Sequence, residues 1–167
     1  MELRERKPLR LTGYDYDDPG CYFITVCTKD RHHILWEPRR LSEMRVGADA
    51  LIGPQIQLSE IGKVVQKTIE SMEYVEKYII MPNHIHMILR IPQTEHGPMG
   101  ASAPTKVVPM TVRYLKRTVT RVCGFSIWQR SYHDHIIRNH ADYLRVWEYI
   151  DTNPAKWRED SYYEEGL

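Results

Sequence analysis

The stretch VEKYIIMPNHIHMILRI, residues 75–91, decides how the chain folds. VEKYIIM (75–81) carries alternating and β-branched apolar residues and reads as a strand. Pro82-Asn83 interrupts it, because proline lacks an N–H and asparagine favours turns. HIHMILRI (84–91) then resumes as a second strand, so the two pair as a hairpin. Residues two apart in a strand point to one face. His84 and His86 therefore project together, while Ile85, Met87 and Leu89 project the other way into a core. An imidazole costs free energy when buried without partners. The two histidines are either satisfied by backbone or acidic neighbours, or gathered to hold a metal. Spacing alone leaves both readings open.

Working outward, apolar residues on either side change period from two to 3.6. Leu58, Ile61, Val65, Ile69 and Met72 step by 3, 4, 4 and 3, which lines one face of a helix beginning near Leu58 with Ser59 as N-cap. Beyond the hairpin, residues 92–105 (PQTEHGPMGASAPT) are polar and rich in glycine and proline, and read as a flexible loop. A second helix follows, with Val108, Val112, Leu115, Val119 and Val122 as its core stripe. Upstream, CYFITVCT (21–28) reads as a central strand, and residues 37–57, with Pro38, Gly47, Gly53 and Pro54, as a loop region with a short strand or two. Downstream, FSIWQRSYHDHIIR (125–138) is extended. Asn139, with Asp142 three residues on, caps a last helix with Tyr143, Val146, Trp147 and Ile150 on its apolar face. That helix stops near Asn153, since Pro154 disfavours helical geometry in the residue before it. The order β, α, β, β, α, β, α predicts an α+β fold: a ferredoxin-like, split βαβ antiparallel sheet, to which the last helix is an addition. The length of 167 residues suits a single domain spanning 1–167.

Composition narrows the function classes. No apolar run is long enough to span a membrane, and MELRERKPLRL at the N-terminus is charged without an apolar signal region after it. Cys21, Cys27 and Cys123 are odd in number and form no CxxC pair, so they read as reduced thiols of a cytoplasmic protein. Net charge is +1, which excludes a polyelectrolyte binder as a whole. Between His96 and His133, however, there are six Lys or Arg residues and no acid: Lys106, Arg113, Lys116, Arg117, Arg121 and Arg130. On a helical wheel Lys106, Arg113, Arg117 and Arg121 fall opposite the apolar stripe. This block is either a solvated face or the footprint of a polyanion.

A metal at His84 and His86 needs further ligands. Tyr149 and Asn153 stand one helical turn apart at the edge of the last helix's packed face. An amide oxygen is a hard ligand for Mg²⁺ or Mn²⁺, and a phenol beside it can act as a nucleophile. Equally, Tyr149 suits packing and Asn153 suits a helix cap before proline. In WQRSYHDHIIR (128–138), Tyr132, Asp134 and Ile136 share one strand face, and His133, His135 and Ile137 the other. Asp134 can orient a histidine there, and Tyr132 is a second candidate nucleophile; an ordinary exposed strand fits as well.

MPNHIHMIL, IWQRSYHDHIIRN and YIDTNPAKW, in this order and separation, resemble the REP-associated tyrosine transposases, members of the single-tyrosine HUH superfamily. The resemblance covers residues 14–158. It implies a ferredoxin-like fold with metal ligands His84 and His86 on a central strand. It further implies Tyr149 as the catalytic tyrosine and Asn153, one turn later, as third metal ligand. The implied reaction is metal-dependent cleavage and strand transfer of single-stranded DNA through a 5′-phosphotyrosine intermediate, on hairpin-forming repeats. The implied cofactor is Mg²⁺ or Mn²⁺, with Mn²⁺ bound more tightly by imidazoles. DNA phosphates would meet Arg113, Lys116, Arg117, Arg121 and Arg130, and exposed Trp128, Tyr132 or the N-terminal basic segment would stack on or track bases. Relatives occur as monomers and as homodimers that complete each other's active sites. Two alternatives accompany this reading: a domesticated DNA-binding protein that does not cut, and a metal-dependent phosphodiesterase that uses water and forms no covalent intermediate.

Overall fold

A computed structural model describes residues 19–37, 57–92 and 107–163. Seven elements build it: β1 (Gly20–Cys27), α1 (Glu60–Glu70), β2 (Val75–Ile80), β3 (His84–Ile91), α2 (Val107–Cys123), β4 (His133–Ile137) and α3 (His140–Thr152). The strands form one sheet in the order β2-β3-β1-β4, and all three pairings are antiparallel. This is the predicted ferredoxin-like arrangement. The loop at 92–105, most of 37–57, Lys106 and the N-terminal basic segment fall outside the described residues, save for their edges at Glu37, Gln57 and Pro92.

The central strands β1 and β3 are covered on both faces, which explains their nearly unbroken apolar runs. One face of the sheet presents Tyr22, Ile24, Val26, Ile85, Met87 and Leu89 to α1 and α2, whose Val65, Ile69, Val108, Val112, Leu115 and Val119 complete the main core. The other face is covered by α3 through a smaller cluster of Ile88, Ile137, Val146 and Ile150. Lys77 also holds α3, pairing with Asp151 at 2.6 Å and lying 3.9 Å from the centre of the Trp147 ring.

Both predicted N-caps form. Ser59 Oγ accepts from Gly62 N at 3.0 Å, and Asn139 Oδ1 accepts from Asp142 N at 2.9 Å. Gly62 is required by close approach: a Cβ there would lie 2.1 Å from the Leu35 carbonyl oxygen. The α1 helix starts two residues later than its apolar stripe, because Leu58 bridges Trp36 before the cap. Val122, read as the end of the α2 core stripe, is 62% exposed. Cys123, four residues beyond Val119, takes the packed position instead. The extended segment 125–138 pairs continuously with β1 only over His133–Ile137, with a separate bridge between Thr28 and Trp128. Between them, Lys116 Nζ donates to the carbonyls of Gln129 (2.7 Å), Arg130 (3.3 Å) and Ser131 (2.8 Å). Burial lowers its pKa to about 8.

Candidate active site

The polar part of the α3 face begins with register. Thr25 on β1 stands opposite His86, and Cys27 opposite His84. Because Ile85 points into the main core, both imidazoles are driven to the α3 side, where His84 is 0% and His86 1% exposed. Their Nε2 atoms face one another at 2.9 Å. Each Nδ1 has its own partner. Asn83 Nδ2 donates to the Tyr162 carbonyl at 2.9 Å, which orients the amide so that Asn83 Oδ1 accepts from His84 Nδ1 at 2.8 Å. Thr25 Oγ1 lies 2.8 Å from His86 Nδ1. With protons on both Nδ1 atoms, two Nε2 lone pairs converge on one point, the tautomer that metal-binding histidines adopt. Burial, with Arg31 adding to it, holds the His84 pKa down at about 3. Burial, then the proximity of His84, and against a smaller opposing pull from Asp160, holds His86 well below its ordinary value. Both rings are therefore neutral at pH 7, as ligands must be.

The last helix delivers the rest. Val146 and Ile150 anchor α3 on the sheet, and Tyr149 Oη reaches to 3.4 Å from His86 Nε2. Phe23 packs beside both, stacked on His86 at 5.0 Å and edge-on to Tyr149 at 6.0 Å. After α3 the chain turns through a short 3₁₀ segment, Trp157–Glu159, and returns Asp160 to the site. Asp160 Oδ2 accepts from Tyr149 Oη at 3.1 Å and from Asn153 Nδ2 at 2.7 Å, and Asp160 Oδ1 accepts from Tyr162 N at 2.6 Å. Burial, and then the charge and hydrogen bond of Asp160, raise the Tyr149 pKa.

His84, His86 and Asp160 form a cluster whose ligand atoms lie within 4.8 Å of one another. Asn153 is 3% exposed, and among the described residues no donor meets its Oδ1. Converging nitrogen lone pairs, a carboxylate and a spare buried amide oxygen fit a divalent cation, and an unanswered buried acceptor without one is costly. The predicted residues His84, His86, Tyr149 and Asn153 are thus brought together. Asp160 and Phe23 were not foreseen from sequence. Asp160 lies in WREDSYY beyond the last helix, in no helical or strand register with the other site residues.

Tyr132, by contrast, packs against the main core on the α1/α2 face, and Asp134 stands opposite Ile24 on that side. Asp134 therefore does not orient a histidine; His135 pairs with Asp142 at 2.9 Å instead. Trp128, read as an exposed stacking residue, is only 5% exposed, because its side chain packs into the main core next to its backbone bridge with Thr28. Arg113, Arg117, Arg121 and Arg130 are exposed, with Tyr114 beside them at 50%. Lys116 is engaged with the loop carbonyls. No helix among the described residues is long and apolar enough to cross a membrane.

No protein-family model matches the chain. An uncharacterized protein of Haemophilus influenzae is 31% identical over 183 aligned positions, covering 96% of this chain and 94% of that protein. A second protein of that organism, provisionally named a REP-associated tyrosine transposase, is 24% identical over 85% of this chain and 74% of its own length. The Escherichia coli REP-associated tyrosine transposase is 29% identical over 49% of this chain and 44% of its own length. Among solved structures, a REP-associated tyrosine transposase bound to a REP hairpin superposes with a TM-score of 0.52 at 21% identity, covering 93% of this chain and 74% of that one. That likeness is one of fold.

Proposed function

The chain belongs to the REP-associated tyrosine transposases, and from that premise we propose that it cuts and rejoins single-stranded DNA at hairpin-forming repeats through a covalent bond to Tyr149. The observation that carries this reading is one juxtaposition: the Tyr149 phenol, 3.4 Å from His86 Nε2, borders two buried imidazoles whose Nε2 atoms face one another at 2.9 Å. His84, His86 and Asp160, with Asn153 Oδ1, are the groups that would hold Mn²⁺ or Mg²⁺. When bound, such a cation polarises a phosphodiester and offsets the charge that builds on it.

The chain's own residues supply the remainder. Tyr149 Oη attacks phosphorus, forming the P–Oη bond as the P–O3′ bond breaks. The phenolic proton passes to the Asp160 carboxylate, which already accepts the hydrogen bond. The departing 3′-oxygen takes a proton from solvent. The product is a 5′-phosphotyrosine and a free 3′-OH, and attack by another 3′-OH reverses the step. Phe23 and the α3 core residues fix the direction of the phenol, so that it meets phosphorus in line. The exposed arginines of α2 and Arg130 offer charge for the DNA backbone.

The test is incubation of the protein with Mn²⁺ and an end-labelled single-stranded hairpin, followed by a denaturing gel. The expected result is a covalent adduct that disappears in Tyr149→Phe. An adduct that survives in Tyr149→Phe and is lost in Tyr132→Phe would move the nucleophile. Cleavage without adduct would favour a water-using phosphodiesterase, and binding without cleavage a DNA-binding protein that has lost the reaction.

A further inference from the structure

At the end of β1 the backbone makes an uncommon turn beside the site. Asp30 has φ 52° and Arg31 φ 53°, the only non-glycine residues with positive φ among those described. Left-handed backbone is disfavoured for residues with a Cβ, because the Cβ crowds the neighbouring carbonyl oxygen. Such conformations persist where surrounding bonds over-determine them, and they gather at functional sites. Here the turn is held from two sides. Thr28 N and Thr28 Oγ1 each donate to the Asn83 carbonyl at 2.9 Å, and Thr28 Oγ1 also lies 2.9 Å from the His32 carbonyl. Lys29 N donates to the Ile127 carbonyl at 2.7 Å. Asn83 is the residue whose side chain orients His84, so the turn and the histidine pair share one support.

The turn delivers a cation. The Arg31 guanidinium carbon lies 5.3 Å from the centre of the Tyr162 ring, and that ring lies 4.7 Å from His84 but 6.0 Å from His86. Tyr149 stands at the other end of the pair, 5.2 Å from His86 between ring centres. Arg31, beyond Cys27 opposite His84, therefore lies toward the His84 end of the pair, and Tyr149 toward the His86 end. In an in-line displacement the attacking and leaving oxygens also lie on opposite sides of phosphorus.

We propose that Arg31 binds the scissile phosphodiester on the side opposite Tyr149, where negative charge gathers on the departing 3′-oxygen. This rests on the strand-cleavage reading above and adds a residue to it. The guanidinium stays protonated throughout and donates hydrogen bonds to the leaving oxygen as the P–O3′ bond breaks. A phosphodiester offers the guanidinium full charge and lone-pair acceptors, which bind it more strongly than the π face of the Tyr162 ring.

The experiment compares two hairpin substrates, one natural and one with sulfur replacing the bridging 3′-oxygen at the cut. A thiolate leaves with little help, so a residue that serves the leaving atom becomes dispensable on the sulfur substrate. Arg31→Gly removes the side chain while suiting the positive φ, and Arg31→Lys keeps charge without the fork. Single-turnover adduct formation by Arg31→Gly should fall by about 100-fold or more on the natural substrate and by less than about 5-fold on the sulfur one. Arg31→Lys should show the same pattern with a smaller loss. Equal losses on both substrates, or no loss on the natural one, would overturn the proposal while wild-type adduct formation leaves the cleavage reading standing. Absence of adduct from the wild type on both substrates would remove that reading and this inference together.

Discussion

Strand β3 presents Ile85, Met87 and Leu89 to the layer of α1 and α2, and His84, His86 and Ile88 to α3. Adjacent residues of one strand thus serve two different ends. The first face is apolar throughout and has only to exclude water. The second is apolar at one end, where α3 is anchored, and polar at the other, where buried groups need named partners. The contrast teaches where stability and the proposed chemistry separate: the candidate site lies on a face that contributes a small core, and most of the packing lies behind it.

Neighbouring substitutions on β3 can break that comparison. His86→Ala removes a converging lone pair, and adduct formation should fall on the order of 10³-fold or more, measured by single-turnover gel assay. A residual rate within tenfold of wild type would mean the histidines are structural. Met87→Ala leaves a cavity in the main core and should cost about 2–5 kcal/mol in urea unfolding, with the rate per folded molecule unchanged. A lost rate at intact stability would show the two faces to be coupled.

Acid sharpens the contrast further. His84 is held at about 3 in the folded chain against an ordinary 6.5. The unfolded chain therefore takes up a proton that the folded chain refuses. Stability from this group is fully present above pH 6.5 and declines as pH falls toward 3, by up to about 1.4 kcal/mol per pH unit. His86 is shifted in the same direction and adds to the slope. Urea titrations of metal-free protein between pH 7 and 4 should show this decline, and it should shrink in His84→Ala.

Asp160→Asn keeps the shape of the returning segment but removes a charge from the cluster. Mn²⁺ affinity, read by calorimetry, should weaken about 10–100-fold. Unchanged affinity would leave the metal to the histidines and Asn153. The smallest effect belongs to the α2 surface. Arg117→Ala should leave stability and cleavage at saturating DNA unchanged, and reduce the salt dependence of DNA binding by about one unit of slope.

Local physics made much of this legible. β-Branched and aromatic runs marked β1 and the hairpin, period 3.6 marked α1, α2 and α3, and Ser59 and Asn139 marked two helix starts, because each of these signals is contained within a few neighbouring residues. The same rules failed where a partner lies far along the chain. Trp128 is bridged to Thr28, about a hundred positions upstream, and its side chain joins the main core. Val122 has the spacing of a core residue but lies on the exposed end of α2. The three carbonyls that Lys116 meets lie 13 to 15 positions along the chain, beyond what helical spacing shows.

The candidate site divides along the same line. Alternation along MPNHIHMIL places His84 and His86 on one face, and a helical turn places Asn153 beside Tyr149; both follow from backbone geometry and are determined by sequence alone. That these two pairs meet, that Tyr149 and not Tyr132 faces the imidazoles, and that Asp160 returns from beyond α3 to complete the cluster were decided only by tertiary structure. The reason is that side-chain direction is a local property, whereas the approach of separate elements depends on which apolar faces bury one another across the whole sheet.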